Sequence, residues 1–185
     1  MNAMRDLVPI MSSAVPFEAN WGVAIMIDFR APVLSDCGKV RRIAGQSELI
    51  EQNSFEYYAA YVRDFSDTSL IAVSGVQPVG FVLGHRSPAA PEEYVVAQWA
   101  LLPEFDRAGA RATLLLAAVR PQVRSGARQL EVVAAERDEM TLAALERVAA
   151  HQGAVLRSEA PMGEGIPPDA PCALYRIGPL SPAYA

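Results

Sequence analysis

Tyr94-Val-Val-Ala-Gln-Trp-Ala-Leu-Leu-Pro-Glu-Phe-Asp-Arg-Ala-Gly-Ala-Arg-Ala-Thr-Leu-Leu-Leu116 sets an apolar strand, a short loop holding Gly109 and an apolar helix in immediate succession. A strand that runs straight into a helix aims the first backbone N–H groups of that helix, which lack intrahelical partners, at one point in space. The macrodipole makes the same point positive, so the stretch reads as an anion-binding turn.

Upstream, Val23–Arg30 reads as a strand ended by Pro32. Ser35 reads as the cap of a helix over 36–44 that stops before Gly45. A second helix is expected from about Asn53 to Arg63, with Tyr57, Tyr58 and Tyr61 along it. Ser69–Ser74 and Val79–Gly84 are β-rich, with Gly75-Val-Gln-Pro78 between them as the turn of a hairpin. Downstream, Leu114, Leu115, Leu116 and Val119 keep one helix face apolar. Gln129–Ala135 follows as a strand, and Asp138 to Ala150 as a helix closed by Gly153. Ala154–Ser158 and Ala173–Ile177 form a last pair of strands, joined by the Pro- and Gly-rich loop Pro161–Pro171. The order β-α-α-β-β-β-α-β-α-β-β specifies an α+β fold with a mixed sheet. Residues 1–22 read as an N-terminal extension, 23–180 as one domain and 181–185 as a frayed tail.

The length of 185 residues suits one domain with a real core, and a 51% hydrophobic composition excludes general disorder. A net charge of −5 without a Lys- or Arg-rich run argues against nucleic acid or an anionic membrane as the main partner. Cys37 and Cys172 have no metal spacing and no CxxC arrangement, so two free thiols and no metal are expected. No run reaches the roughly 18–20 apolar residues of a membrane helix. Met1–Ile10, with Arg5 and Asp6, lacks a signal-peptide core, so a cytoplasmic location is expected. GxSxG, GxxxxGK[ST] and GxGxxG are all absent.

The strand–loop–helix stretch resembles the acyl-CoA-binding motif of the GNAT N-acetyltransferases, whose loop grips the CoA pyrophosphate. Glu51-Gln-Asn-Ser-Phe-Glu-Tyr-Tyr58, Asp64-Phe-Ser-Asp-Thr-Ser69 and Val79-Gly-Phe-Val-Leu-Gly-His-Arg86 resemble, in order and spacing, segments of the diaminobutyrate acetyltransferases of ectoine biosynthesis. Leu174-Tyr-Arg-Ile177 resembles their C-terminal strand. The resemblance implies a GNAT fold of about six to seven strands flanked by about four helices. It implies acetyl-CoA or another acyl-CoA as co-substrate, a small amine or amino acid as acceptor, and a homodimer. The cofactor-binding positions it implies are Ala100, Leu101 and Leu102 on the strand, Arg107, Ala108, Gly109, Ala110, Arg111 and Ala112 on the loop and helix start, and Asp138 and Thr141 on the next helix.

The chain departs from that pattern at particular residues. The loop usually reads Arg/Gln-x-x-Gly-x-Gly/Ala, and here it is Asp106-Arg-Ala-Gly-Ala-Arg111. Asp106 replaces a donor and would repel a pyrophosphate, whereas Arg107 and Arg111 offer cations to it. Glu56 stands at a family tyrosine, Ala97 at a family tryptophan with Trp99 two residues on, and Leu102 at an aspartate. Asp169-Ala-Pro-Cys172 replaces a His-Glu-x-Glu stretch. The altered pocket implies an acceptor related to diaminobutyrate but distinct from it. Acetyl transfer needs an amine that loses a proton, a polarised carbonyl and close positioning. Glu51 and Glu56 are the candidate carboxylates for catalysis and amine binding, and the bland reading of both is helix-start charge. Asn53, Tyr58, Ala97 and Trp99 complete the candidate substrate site, against helix capping for Asn53 and core packing for the aromatics. His85 is a weaker candidate base. Asp138 and Thr141 read equally well as a helix cap and its neighbouring hydroxyl. Two other readings stay open: a GNAT-fold enzyme acting without CoA, and a non-catalytic binding subunit.

Overall fold

The computed structural model describes residues 15–18, 24–47, 50–135, 138–159 and 172–184. Among them the strands are β1 (Val15–Glu18), β2 (Ala24–Arg30), β3 (Leu70–Ser74), β4 (Gln77–Arg86), β5 (Glu93–Leu101), β6 (Gln129–Ala135), β7 (Val155–Glu159) and β8 (Cys172–Gly178). The α-helices are α1 (Cys37–Ala44), α2 (Phe55–Asp64), α3 (Ala108–Arg124) and α4 (Glu139–Gln152). The strands make one sheet in the order β1-β2-β3-β4-β5-β6-β8-β7. Only β5 and β6 pair in parallel among the described strands, because α3 supplies the long return that a parallel neighbour needs.

This is the expected α+β architecture with a mixed sheet and four helices. It has one strand beyond the six to seven expected, since Val15–Glu18, inside the segment read as an extension, pairs antiparallel with β2. Seven consecutive residues of β4, Pro78–Gly84, are buried. Successive strand residues face opposite sides, so both faces of the sheet are covered there. The helices pack in two pairs, α1 with α2 and α3 with α4; α1 lies over β4 and β5, α3 over β3–β5, and α4 over β7 and β8. Gly84 makes room for one large core side chain. A Cβ there would sit 2.4 Å from Tyr94 Oη, and that hydroxyl donates to the Thr68 carbonyl at 2.7 Å.

Local boundaries differ from the sequence reading where a carboxylate or hydroxyl found another partner. Ser35 lies inside a 3₁₀ turn, Leu34–Asp36, and does not cap α1. Asp36 organises the turn instead: its carboxylate accepts the Val33 N–H at 2.9 Å and both Arg30 Nη atoms at 2.6 and 2.8 Å. Ser54, not Asn53, caps α2 by accepting the Tyr57 N–H at 3.2 Å. The hairpin tip is Gly75-Val76, with Gln77 and Pro78 already in β4. The tail read as frayed is held as far as Tyr184, because the Leu180 N–H donates to Arg128 at 2.7 Å and Gln152 Nε2 to the Tyr184 carbonyl at 3.3 Å. The loop expected at Pro161–Pro171 falls outside the described residues.

Candidate active site

Parallel pairing of β5 with β6 covers Glu93–Val96 against Gln129–Val132 and then stops. At that point β5 carries an extra residue: Leu83 pairs with Gln98 and Gly84 with Val96, which leaves Ala97 as a β-bulge. A bulge bends its strand and increases the twist, so β5 leans away from β6 and a cleft opens between them. A cavity of about 190 Å³ lies in the cleft. Every residue from Ala97 to Leu101 lines it, facing Val133 and Ala134 of β6. Strict alternation would bring only every second residue to the cavity. The bulge and the unpaired edge bring the intervening ones there too, so Gln98 and Ala100 reach it beside Ala97, Trp99 and Leu101.

Charged groups complete the lining: Glu51 before α2, Asp106 and Arg111 around the start of α3, and Asp138 at the start of α4. Arg111 is almost fully buried and ties these groups together. Its Nε and Nη2 donate to the two oxygens of Asp106 at 2.5 and 2.7 Å. Its Nη1 donates to Asp138 Oδ2 and Thr141 Oγ1, each at 2.7 Å. Thr141 in turn donates from Oγ1 to Asp138 Oδ2 at 2.5 Å and from its backbone N–H to Oδ1 at 3.1 Å, so Asp138 also caps α4. The guanidinium sits 5.8 Å from the Trp99 ring centroid, within cation–π range. Burial alone would raise the Asp138 pKa, but the bonds from Thr141 and Arg111 hold it below the usual carboxylate range. The same carboxylates keep the Arg111 pKa raised against its own burial.

The other side of the α3 start faces a second cavity, of about 710 Å³, lined by Arg107, Ala108, Gly109, Ala110, Ala112 and, from α4, Arg147. The N-cap residue, Arg107, makes no side-chain cap bond, and the first intrahelical bond runs from the Arg111 N–H to the Arg107 carbonyl. The preceding N–H groups therefore have no partner within the helix. Gly109 keeps the approach open: a Cβ there would come within 2.9 Å of Arg147 Nη1. The implied cofactor positions thus split between the two cavities. Ala100, Leu101, Arg111, Asp138 and Thr141 line the first, and Arg107 to Ala110 with Ala112 line the second. Leu102 is buried and its N–H donates to the Val79 carbonyl at 2.8 Å, so it is committed to the sheet.

Of the candidate amine-site residues, Glu51, Ala97 and Trp99 line the first cavity. The Glu51 carbonyl accepts Gln98 Nε2 at 2.7 Å, which pins the segment before α2 to β5. Tyr58 is fully buried behind that wall, where its hydroxyl accepts the Asn53 N–H at 3.1 Å. Burial pushes the Tyr58 phenol above its ordinary pKa against the opposing pull of hydrogen bonds from Asn53 and Gln98. Glu56 is exposed in the first turn of α2 and lies in neither cavity's lining. Its carboxyl is held low by its own backbone N–H and by Ser54, as a helix-start charge is. His85 packs with Tyr61 and Phe65, with its Nδ1 3.2 Å from Tyr61 Oη. Sequence reasoning did not single out Gln98 or Arg147. It read Asp106 only as a defect in the phosphate loop, since a side-chain pair five residues apart across a helix start has no fixed periodicity to reveal it.

The arrangement sets a helix start, whose first N–H groups have no partner within the helix, beside an opened strand edge, with Glu51 among the residues that line the cleft. Among the described residues no group of His, Cys, Asp or Glu is arranged to hold a metal ion, and no helix is long and apolar enough to cross a membrane. No protein-family model matches the chain. A search of curated proteins finds the L-2,4-diaminobutyric acid acetyltransferase of Nocardia farcinica, 32% identical over 171 residues, spanning 90% of this chain and 89% of that protein. The Streptomyces coelicolor protein of the same name is 33% identical over 155 residues, 81% of this chain and 91% of the relative. Among solved structures, diaminobutyrate acetyltransferase EctA from Paenibacillus lautus, in complex with L-2,4-diaminobutyric acid and coenzyme A, superposes with a TM-score of 0.76 at 24% identity, covering 83% of this chain and 95% of that one. The Salmonella typhimurium protein yncA, solved with its cofactor acetyl-CoA, gives 0.63 at 11% identity over 84% of this chain and 95% of that one. The fold is that of the GNAT enzymes, and at this identity and coverage the chain belongs to the diaminobutyrate acetyltransferase family of GNAT N-acetyltransferases.

Proposed function

We propose that this enzyme transfers the acetyl group of acetyl-CoA to a small amine or amino acid related to diaminobutyrate, as a cytoplasmic homodimer serving small-molecule biosynthesis. The observation that carries the reading is the bulge at Ala97, which opens the β5–β6 cleft beside an uncapped α3 N-terminus. The pyrophosphate belongs on the N–H groups of Ala108, Gly109 and Ala110, with Arg107 and Arg147 as counter-charges. A guanidinium poised over the positive end of a helix is unfavourable by itself, and an anion seated between the two makes both contacts favourable.

The acyl arm then runs along the open edge of β5. The backbone N–H of Leu101 is the candidate to polarise the thioester carbonyl: that of Leu102 donates to Val79, and the alternation of the antiparallel ladder turns that of Ala100 toward its β4 partner Phe81, whereas that of Leu101 faces away from β4. Glu51 takes the proton from the acceptor ammonium, directly or through a water. The amine nitrogen attacks the carbonyl carbon, the C–S bond breaks, and the thiolate leaves to be protonated. Arg111 is not assigned to the phosphates, because its donors serve Asp106, Asp138 and Thr141. Dimerisation enters from the family resemblance, and light scattering of the purified chain reads it; the cytoplasmic location is the expectation drawn from the sequence.

Calorimetric titration with acetyl-CoA, with free CoA as the control for the arm alone, tests the reading. The expected result is micromolar binding that Gly109→Glu abolishes, since a carboxylate there pairs with Arg147 and covers the helix start. Absence of heat at millimolar acetyl-CoA would refute it.

A further inference from the structure

Among the described residues, two buried side-chain oxygens have no hydrogen-bond partner, Oε1 of Gln98 and Oε1 of Gln152. Of the two cavities described above, the one in the β5–β6 cleft is lined by Gln98, and neither is lined by Gln152. Its amide cannot be turned over: Nε2 donates to the Glu51 carbonyl at 2.7 Å, and a flip would set two oxygens against each other. The unused acceptor is therefore Oε1, in a side chain 93% buried by its 7% exposure. An unsatisfied buried acceptor is costly, and a ligand N–H in the cleft would remove that cost.

The charge of the lining favours a cationic donor. Among the described residues of the lining, Glu51, Asp106 and Asp138 stand against one guanidinium, Arg111. Arg111 answers Asp106 and Asp138, which leaves the carboxylate of Glu51 to the acceptor. An amide oxygen accepts a hydrogen bond but takes up no proton near neutral pH. It suits a nitrogen that keeps its protons throughout, whereas the attacking nitrogen needs a base.

We infer that Gln98 Oε1 receives the second, non-reacting ammonium of a small diamine acceptor, so that Gln98 is a positioning and specificity residue. That this ammonium does not react rests on the acetyl-transfer reading; the binding geometry does not. Gln98 thus explains a preference for acceptors carrying two nitrogens, of which Glu51 takes the reacting one.

The test is calorimetric titration of 2,4-diaminobutyrate, and separately of 2-aminobutyrate, into the full chain with free CoA present, for wild type, Gln98→Met and Gln98→Glu. Gln98→Met is expected to weaken diaminobutyrate by about tenfold or more and to shrink its advantage over 2-aminobutyrate. Gln98→Glu restores an acceptor oxygen and is expected to return affinity to within about threefold of wild type, with CoA affinity unchanged in both. A purely structural role predicts the reverse order, because a carboxylate facing the Glu51 carbonyl disturbs the pinned segment more than a thioether does. Wild-type affinity in Gln98→Met, no gain in Gln98→Glu over Gln98→Met, or no diaminobutyrate binding in wild type would overturn the inference. Diamine binding that follows the expected order in a protein that gives no heat with CoA would support Gln98 while overturning acetyl transfer.

Discussion

Arg111→Ala is the substitution whose consequence the geometry specifies best. The Arg111 side chain is 6% exposed, and its partners Asp138 and Asp106 are 7% and 20% exposed. Removing the guanidinium deletes the two-pronged pair with Asp106 and the bonds to Asp138 and Thr141. Loss of one member of a buried ion pair costs about 3–5 kcal/mol, mainly through the charge left behind. Asp106 retains some water, and Thr141 still gives Asp138 two hydrogen bonds, so the loss lies at the low end, about 3 kcal/mol. For a chain of this size that corresponds to a fall in Tm of about 6–12 °C. The pH dependence carries a sign. The Asp138 carboxyl is held below its unfolded value, so its pairing stabilises fully above the unfolded pKa of about 4 and is lost as pH falls through the folded pKa below that. The gap between wild type and variant is therefore full at pH 7 and narrows below about pH 4. Urea denaturation followed by tryptophan fluorescence at both pH values measures it. A variant within about 1 kcal/mol of wild type at pH 7, or a gap that does not narrow in acid, would refute the reasoning.

Three further substitutions separate chemistry from architecture. Glu51→Gln is expected to lower turnover about a hundredfold or more while leaving stability within about 0.5 kcal/mol, whereas Glu56→Gln leaves turnover unchanged; acetyl transfer assays with thermal melts of both variants decide this. Gly84→Ala drives a methyl group into the buried Tyr94 phenol and is expected to destabilise by about 2–3 kcal/mol, read from the shift in urea midpoint. Asp36→Asn removes the charge that Arg30 grips in the turn before α1. It is expected to destabilise by about 2 kcal/mol at pH 7 and by less below about pH 4, because the Asp36 pKa is also depressed: burial opposes that shift, and Arg30 and the Val33 N–H prevail. A constant penalty across that range would show that the charge is not the cause.

The elements were legible because their signals are periodic. β4 and β5 read as strands from apolar runs, α3 from its leucine face, and α4 from an Asp at its start and a Gly past its end. β1 was not legible: four residues, Val15–Glu18, after an unpatterned start gain their structure only by pairing with β2. The cleft was half legible. A strand running into a helix marked the anion end, but nothing in Val95-Val-Ala-Gln-Trp99 announces a bulge, which exists only as a mismatch with β4. Gln98 carries no signal in the sequence for the same reason. A polar residue in an apolar strand becomes informative once one of its amide atoms is seen bound and the other is not.

The loop before α3 shows how a residue-by-residue reading can mislead. Against the usual Arg/Gln-x-x-Gly-x-Gly/Ala pattern, Asp106 looks like a repulsive charge and Arg111 like a bulky intrusion, and each alone argues against phosphate binding. In the fold they meet in a two-pronged ion pair, so a phosphate near the turn faces a neutralised carboxylate and not a bare one. The same pairing draws the Arg111 side chain toward Asp138 and the β5–β6 cleft, whereas Gly109 lines the other cavity with Arg107 and Arg147. The two departures therefore compensate one another and leave the helix start open on its Gly109 side. Their cost falls elsewhere: the end of the cleft between α3 and α4 is fixed by a buried salt bridge, which links the shape of the cleft to the anchoring of both helices.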